Sequence, residues 1–116
     1  MNIIVDAFGG DNAPLEIIKG SLDAKNEFGV DITLVGNEEI IRKVSKENEL
    51  NLDDVRIVHA DSVISQNEAG TEVVKSKKDC SMAVGLKMLH NGEGDAFVSA
   101  GNSGAVCVGA TLIVKR

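Results

Sequence analysis

Four short runs rich in β-branched residues, 2–5, 31–35, 55–60 and 95–99, are separated from one another by stretches with helical spacing. This alternation constrains the fold more than any other feature. Parallel strands cannot be joined by a hairpin. They need a crossover, and the crossover is normally a helix that covers one face of the sheet. The expected class is therefore α/β, a mostly parallel sheet with helices on both faces, in a single unit spanning 1–116.

The connecting stretches carry their own start and stop signals. In the first, Leu15, Ile18 and Leu22 share a face, Pro14 suits the opening turn, Asp11 or Asn12 is placed to cap it, and Phe28 with Gly29 closes it. Asn37 with Glu38 and Glu39 opens a second helix, with Ile41 and Val44 inward and fraying near Asn48. Asp79 or Ser81 opens a third, whose Met82, Leu86 and Leu89 recur at helical spacing before His90, Asn91 and Gly92 end it. A fourth begins near Ser103. The segment 61–78 is the exception: long and polar, with room for a short helix at 71–75, of a length that is often functional or mobile. Residues 105–114 are apolar almost all round, which marks a buried helix, and only Lys115 and Arg116 follow. With nothing after them to cover that helix, the expectation is a fragment of a longer chain.

Charge narrows the partners. Eighteen acidic against twelve basic residues give a net charge of -6, and three Phe without Tyr or Trp leave few aromatic rings for bases to stack on, so nucleic acid is not an expected partner. Asp6 interrupts the N-terminal apolar run too early for a signal peptide, and no apolar stretch is long enough for a membrane span, so a cytosolic protein is expected. Cys80 and Cys107 lie far apart without a His at ligand spacing; neither a zinc site nor a disulfide is suggested, and both read as small buried hydrophobes.

Two turns stand out for chemistry. Ser99-Ala-Gly-Asn-Ser-Gly-Ala105 leads directly from the fourth strand into the fourth helix, where backbone N–H groups and the positive end of the helix dipole favour an anion. Gly101 and Gly104 allow close approach; Ser99, Asn102 and Ser103 add polar side chains. The alternative is that Ser103 caps the helix and the glycines only turn the chain. The third Gly of a dinucleotide fingerprint is missing, as is the Lys of a phosphate-binding P-loop. The second turn, Asp6-Ala-Phe-Gly-Gly-Asp-Asn-Ala-Pro14, brackets Gly9 and Gly10 between two carboxylates. Asp6 and Asp11 are candidates to position a substrate or a metal, though for Asp11 the helix cap is the better reading. If the first and fourth strands are neighbours, the two turns share a crevice. Lys75, Lys77 and Lys78 form a basic rim before the third helix, either simply solvated or facing something anionic. His59 and His90 are accounted for by packing and capping, and no Ser-His-Asp or Cys-His arrangement is legible.

Together, 5–14, Leu34-Val-Gly36, Val58-His-Ala60, Lys77-Lys-Asp-Cys-Ser-Met82 and 98–105 resemble the bacterial phosphate acyltransferases that use acyl-acyl carrier protein. The resemblance runs the whole length of the chain and covers about the first third of that family's usual chain. It implies a three-layer α/β/α sandwich similar to isocitrate and isopropylmalate dehydrogenases, a homodimer, and transfer of a fatty acyl group from the carrier thioester to inorganic phosphate for phospholipid synthesis. It further implies no cofactor, no metal, and contact with the inner face of the membrane through the rest of such a chain. Phosphate is itself the nucleophile, so no Ser or Cys nucleophile is needed; the protein orients phosphate and stabilises the oxyanion on the thioester carbonyl. By position, the resemblance makes Asp6, Asn102 and Ser103 candidate catalytic residues. It makes Ser99, Gly101, Asn102, Ser103 and Gly104 candidate phosphate ligands, and Gly9, Gly10 and Asp11 candidate substrate contacts. Lys75, Lys77 and Lys78 are candidates for the acidic carrier's landing site. Phe8 stands where that family has Met, Asn12 where it has His, Ser103 where it has Thr, Cys80 where it has Ser and Gly70 where it has Pro. The Cys80 difference argues against a catalytic thiol. A phosphate- or nucleotide-binding module without catalysis is the competing reading; a dehydrogenase lacks its fingerprint.

Overall fold

The computed structural model describes residues 1–65, 67–75 and 77–114. Its sheet has four strands, β1 (Asn2–Asp6), β2 (Asp31–Gly36), β3 (Arg56–His59) and β4 (Ala96–Val98), in the order β3-β2-β1-β4, and every neighbouring pair is parallel. Alternation along the strands divides the core in two. Val5, Ile32 and Leu34 face one side, where Ile18 of α1 (Leu15–Phe28) and Ile41 of α2 (Glu38–Glu47) pack on them. Ile4, Val35 and Phe97 face the other, against Met88 of α3 (Ser81–His90). Ile4, Ile18, Leu34 and Ile41 are fully buried, each such side chain contributing about 1.5–3 kcal/mol of hydrophobic stabilisation. The result is the three-layer α/β/α sandwich.

The faces follow from handedness. The step from β1 to β2 and the step from β3 to β4 run in opposite directions across the sheet. Right-handed crossovers then require α1 and α3 on opposite faces. The last helix, α4 (Ser103–Gly109), joins α3 rather than α1, and its Ala105 is buried with Met82 and Leu86.

Three local expectations are corrected. Neither Asp11 nor Asn12 caps α1: Pro14 occupies the cap position with no side-chain hydrogen bond, while the Asn12 and Pro14 carbonyls accept from Glu16 and Ile18 N–H. At α3 the cap is Cys80, whose Sγ accepts from Ala83 N–H at 3.4 Å. Asp79 is turned to the Ser62 hydroxyl and Ser81 to Asp6. Residues 105–114 are not buried all round. α4 widens into a π-helical turn at Ala110–Val114, where Ile113 and Val114 pack only partly on the core; Cys107 is exposed and Leu112 is at 52% exposure. Lys115 and Arg116 lie outside the described residues. Elsewhere the signals hold: Asn37 caps α2 by accepting from Ile40 N–H, and Gly29 closes α1 with its N–H on the Lys25 carbonyl.

The segment before α3 is neither featureless nor loosely attached. It contains a 3₁₀ turn, Gly70–Val74, and buries Ile64 and Val73 against Cys80 and Ala105. Its two ends meet where Ser81 N–H bonds the Ser62 carbonyl at 2.9 Å.

Within α2, the hydroxyl of Ser45 is buried with no hydrogen-bond partner among the described residues. An unsatisfied buried hydroxyl is costly and Ala is the better helix former. Ser45→Ala should therefore raise unfolding free energy by about 1 kcal/mol in a urea titration; a loss of stability would mean that the hydroxyl has a partner.

Candidate functional site

β1 and β4 are hydrogen-bonded neighbours with Val5 beside Val98, so the chain leaves both at the same edge of the sheet. From there the β1 connection turns toward α1 on one face and the β4 connection toward α4 on the other. This is the switch point at which open α/β sheets bind ligands.

The two turns touch. A Cβ built on Gly9 would lie 2.7 Å from Ser99 Oγ, 2.8 Å from Gly101 N and 2.9 Å from Asp6 Oδ2, so only glycine fits. Gly10, at φ +99°, takes a backbone conformation that other residues rarely adopt, and packs on Ala100. The crevice is therefore shut at its base, and what remains accessible is its rim: Asp11, Asn12, Ser103 and Gly104 are exposed.

Beneath the contact sits Asp6, 2% exposed. Its Oδ1 accepts from the Ser81 hydroxyl at 2.5 Å and from Phe8 N–H at 3.1 Å, and its Oδ2 accepts from the Ser99 hydroxyl at 2.9 Å. Ser99 Oγ in turn accepts from Gly101 N–H at 3.0 Å. Asn102, 6% exposed, donates both amide hydrogens, to the Ser65 and Glu68 carbonyls at 2.8 Å each, and caps α4 by accepting from Ala105 N–H at 3.0 Å. It thereby anchors the middle of the long segment against the turn. Gly70 completes the anchorage: a Cβ there would meet the Gly104 carbonyl carbon at 2.5 Å. The N–H groups of Ser103 and Gly104 have no acceptor among the described residues.

The structure thus brings Asp6, Gly9, Gly10, Ser99 and Gly101–Gly104 together and leaves Asp11 on the rim. Lys75 and Lys78 are exposed, and Lys77 pairs with Glu68 at 3.8 Å. Beside them opens a cleft of about 250 Å³ with Val73, Val74, Ala83 and Ile113 in its walls and Lys78 and Lys87 as its charged members. Sequence reasoning missed Lys87, which lies one helical turn beyond Ala83, and it missed Ser81 as a partner of Asp6. Both histidines are engaged: His59 accepts from Glu38 N–H through Nδ1 and meets Asp61 through Nε2 at 2.7 Å, and His90 Nδ1 lies 3.1 Å from the Val114 carbonyl. Among the described residues no group of three or more His, Cys, Asp or Glu is placed to hold a metal ion, and no helix is long and apolar enough to cross a membrane.

A family model described as "Fatty acid synthesis protein" matches residues 1–116. The chain is 47% identical over 116 residues to a phosphate acyltransferase of Thermoanaerobacterium thermosaccharolyticum. It is 45% identical over 117 residues to one of Acetivibrio thermocellus, and 43% over 117 to one of Geobacter sulfurreducens. In each case all of this chain aligns with 34% of the relative, so it spans about a third of the length of the curated relatives it matches.

Cys80 is close to this site yet poorly suited to nucleophilic work. Burial pushes its thiol above the ordinary range; hydrogen bonds from Ala83 and Met82 N–H partly offset this, and the Asp6 and Asp79 charges add to the rise. A thiol that stays protonated in the fold while the unfolded chain ionises must lose stability as pH climbs. Relative to Cys80→Ser, the wild type should therefore lose unfolding free energy as pH rises past about 8.5, the range in which an unfolded thiol ionises. Parallel stability curves for the two proteins across that range would refute the assignment.

Proposed function

The chain belongs to the fatty acid synthesis protein family, and from that premise we propose that the protein of which these residues form part is a phosphate acyltransferase. Its reaction moves a fatty acyl group from an acyl carrier protein thioester to inorganic phosphate, giving acyl phosphate for phospholipid synthesis. Residues 1–116 are then part of a larger α/β domain, which works in the cytoplasm as a homodimer.

The observation that carries this reading is the meeting of two glycine turns at the β1/β4 switch point, with the exposed Ser103 and Gly104 amides and the Ser103 hydroxyl at its rim. Backbone donors fixed in place attract an oxyanion at little reorganisation cost. Phosphate held there attacks the thioester carbonyl carbon: a P–O–C bond forms, the C–S bond breaks, and the sulfur leaves as thiolate. The same donors are suited to the oxyanion on that carbon in the tetrahedral intermediate. No side-chain nucleophile enters, in keeping with the buried Cys80 and the engaged histidines. The Ser103 hydroxyl and the Ser103 and Gly104 amides bind phosphate, Gly101 N–H being taken by Ser99; Asp11 stands across the rim, the Gly9–Gly101 contact closes the base beneath it, and Asn102 keeps the turn tied to the Ser65 and Glu68 carbonyls. The carrier, being acidic, docks where Lys78 and Lys87 line the apolar cleft, with Lys75 and Lys77 adding positive charge along the same segment.

Replacing Asn102 and Ser103 together by Ala in the full-length protein should lower acyl phosphate formation about a hundredfold. Unchanged turnover would remove the turn from the reaction. Phosphate binding in a calorimeter with no acyl phosphate from any acyl thioester would favour a non-catalytic module instead. Reversing charge at Lys78 and Lys87 should raise KM for the carrier thioester about tenfold and leave the phosphate KM unchanged; an equal effect on both substrates would place docking elsewhere.

A further inference from the structure

We propose that Asp6 is a positioning residue: its carboxylate orients the 99–104 turn through Ser99 and so sets the affinity for phosphate, without taking a proton in the reaction. This rests on the reading that the turn receives phosphate.

An ionised carboxylate has about four acceptor positions. On Asp6 three are filled, by the Ser81 hydroxyl, Phe8 N–H and the Ser99 hydroxyl. The remaining approach to Oδ2 is closed by Gly9, whose position leaves no room for even a methyl group. With 2% of its surface accessible, Asp6 cannot reach a substrate proton, which a general base must touch. No Lys, Arg or His pairs with it among the described residues; the titratable group beside it is the Cys80 thiol.

What the carboxylate does control is direction. Because it accepts the Ser99 proton, the lone pairs of Ser99 Oγ are left for Gly101 N–H, at 3.0 Å. Gly101 is thereby drawn to the interior, while the N–H groups of Ser103 and Gly104, on the exposed side of the turn, keep no acceptor among the described residues. The same carboxylate holds the first residue of α3, so β1, α3 and the turn are referred to one group. Only an acceptor-only side chain can take three donors at once. An Asn would present an N–H to at least one of them, and the Ser99 hydroxyl would have to rotate and surrender its fixed sense.

The test is steady-state kinetics on the full-length protein, varying phosphate and acyl donor separately from pH 5.5 to 9, for wild type, Asp6→Asn, Ser99→Ala and Ser99→Thr. Asp6→Asn and Ser99→Ala should each raise the phosphate KM by about tenfold or more. They should leave the acyl-donor KM within about twofold and the acidic limb of the kcat profile where the wild type has it. Ser99→Thr, which retains the hydroxyl, should restore the phosphate KM. Disappearance of the acidic limb in Asp6→Asn with an unaltered phosphate KM would make Asp6 a base and overturn the proposal, as would equal changes in both KM values. If Asp6→Asn does not fold, the Ser99→Ala and Ser99→Thr pair decides. If the wild type makes no acyl phosphate, the functional reading fails, yet calorimetry still judges the relay: phosphate should bind Ser99→Ala about tenfold more weakly than wild type, and equal affinity would sink it.

Discussion

Parallel strands joined through helices have one inescapable property: every strand ends at the same edge of the sheet. Everything chemical about this protein depends on that constraint. It gathers the turns after β1 and β4 on one rim although more than eighty residues separate them in sequence. Right-handed crossovers put α1 and α3 on opposite faces, and α4 packs with α3, so the turns part above the sheet while remaining in contact at its edge. A hairpin-built sheet with the same residues would place one of these turns at each end.

Contact at that edge demands reconciliation of charge. Two turns meeting over Gly9 leave no space for water, and a carboxylate lies directly below them. A buried carboxylate survives only when its oxygens are hydrogen-bonded. The three donors come from its own turn, from α3 and from the opposing turn, so the solvation of one charge fixes the relative placement of three segments. Anchorage at Asn102 works by the same logic in a neutral group, since both of its amide hydrogens reach carbonyls of the 61–80 segment. The long polar stretch is tied down by backbone acceptors that have no signature in its composition.

This division explains what could be read before the structure. Period and punctuation are local, so the four strands, the Asn37 cap and the Gly29 stop were legible from neighbours a few residues away. So was the crevice, given strand adjacency, because glycine-rich turns after strands are local too. Ser81 was different. A Ser at a helix start is ordinarily a cap, and its use as a donor to Asp6, 75 residues earlier, depends on packing that no local pattern records. Cys80 took the cap instead, a role that thiols fill weakly. The apolar run after Ser103 misled for a related reason: composition reports that a helix can be buried, whereas only Ala105 and Gly109 of this run are, Val106, Val108 and Ile113 pack partly, and Cys107 and Leu112 turn outward.

The proposed reaction uses no side-chain nucleophile, and the same geometry accounts for that. Near the turns, the thiol of Cys80 is desolvated and kept protonated, and the hydroxyls of Ser81 and Ser99 are held in hydrogen bonds to the buried Asp6, with Ser81 itself 1% exposed. A site assembled this way can hold and polarise but has no group of its own ready to attack. Such a site suits a reaction whose second substrate brings its own nucleophilic oxygen. Inorganic phosphate does so as a dianion, needing from the protein only fixed donors and a defined direction of approach. In the proposed reaction the rigidity imposed by Asp6 and the chemistry supplied by phosphate are complementary: orientation is what the fold provides, and nucleophilicity is what the ligand provides.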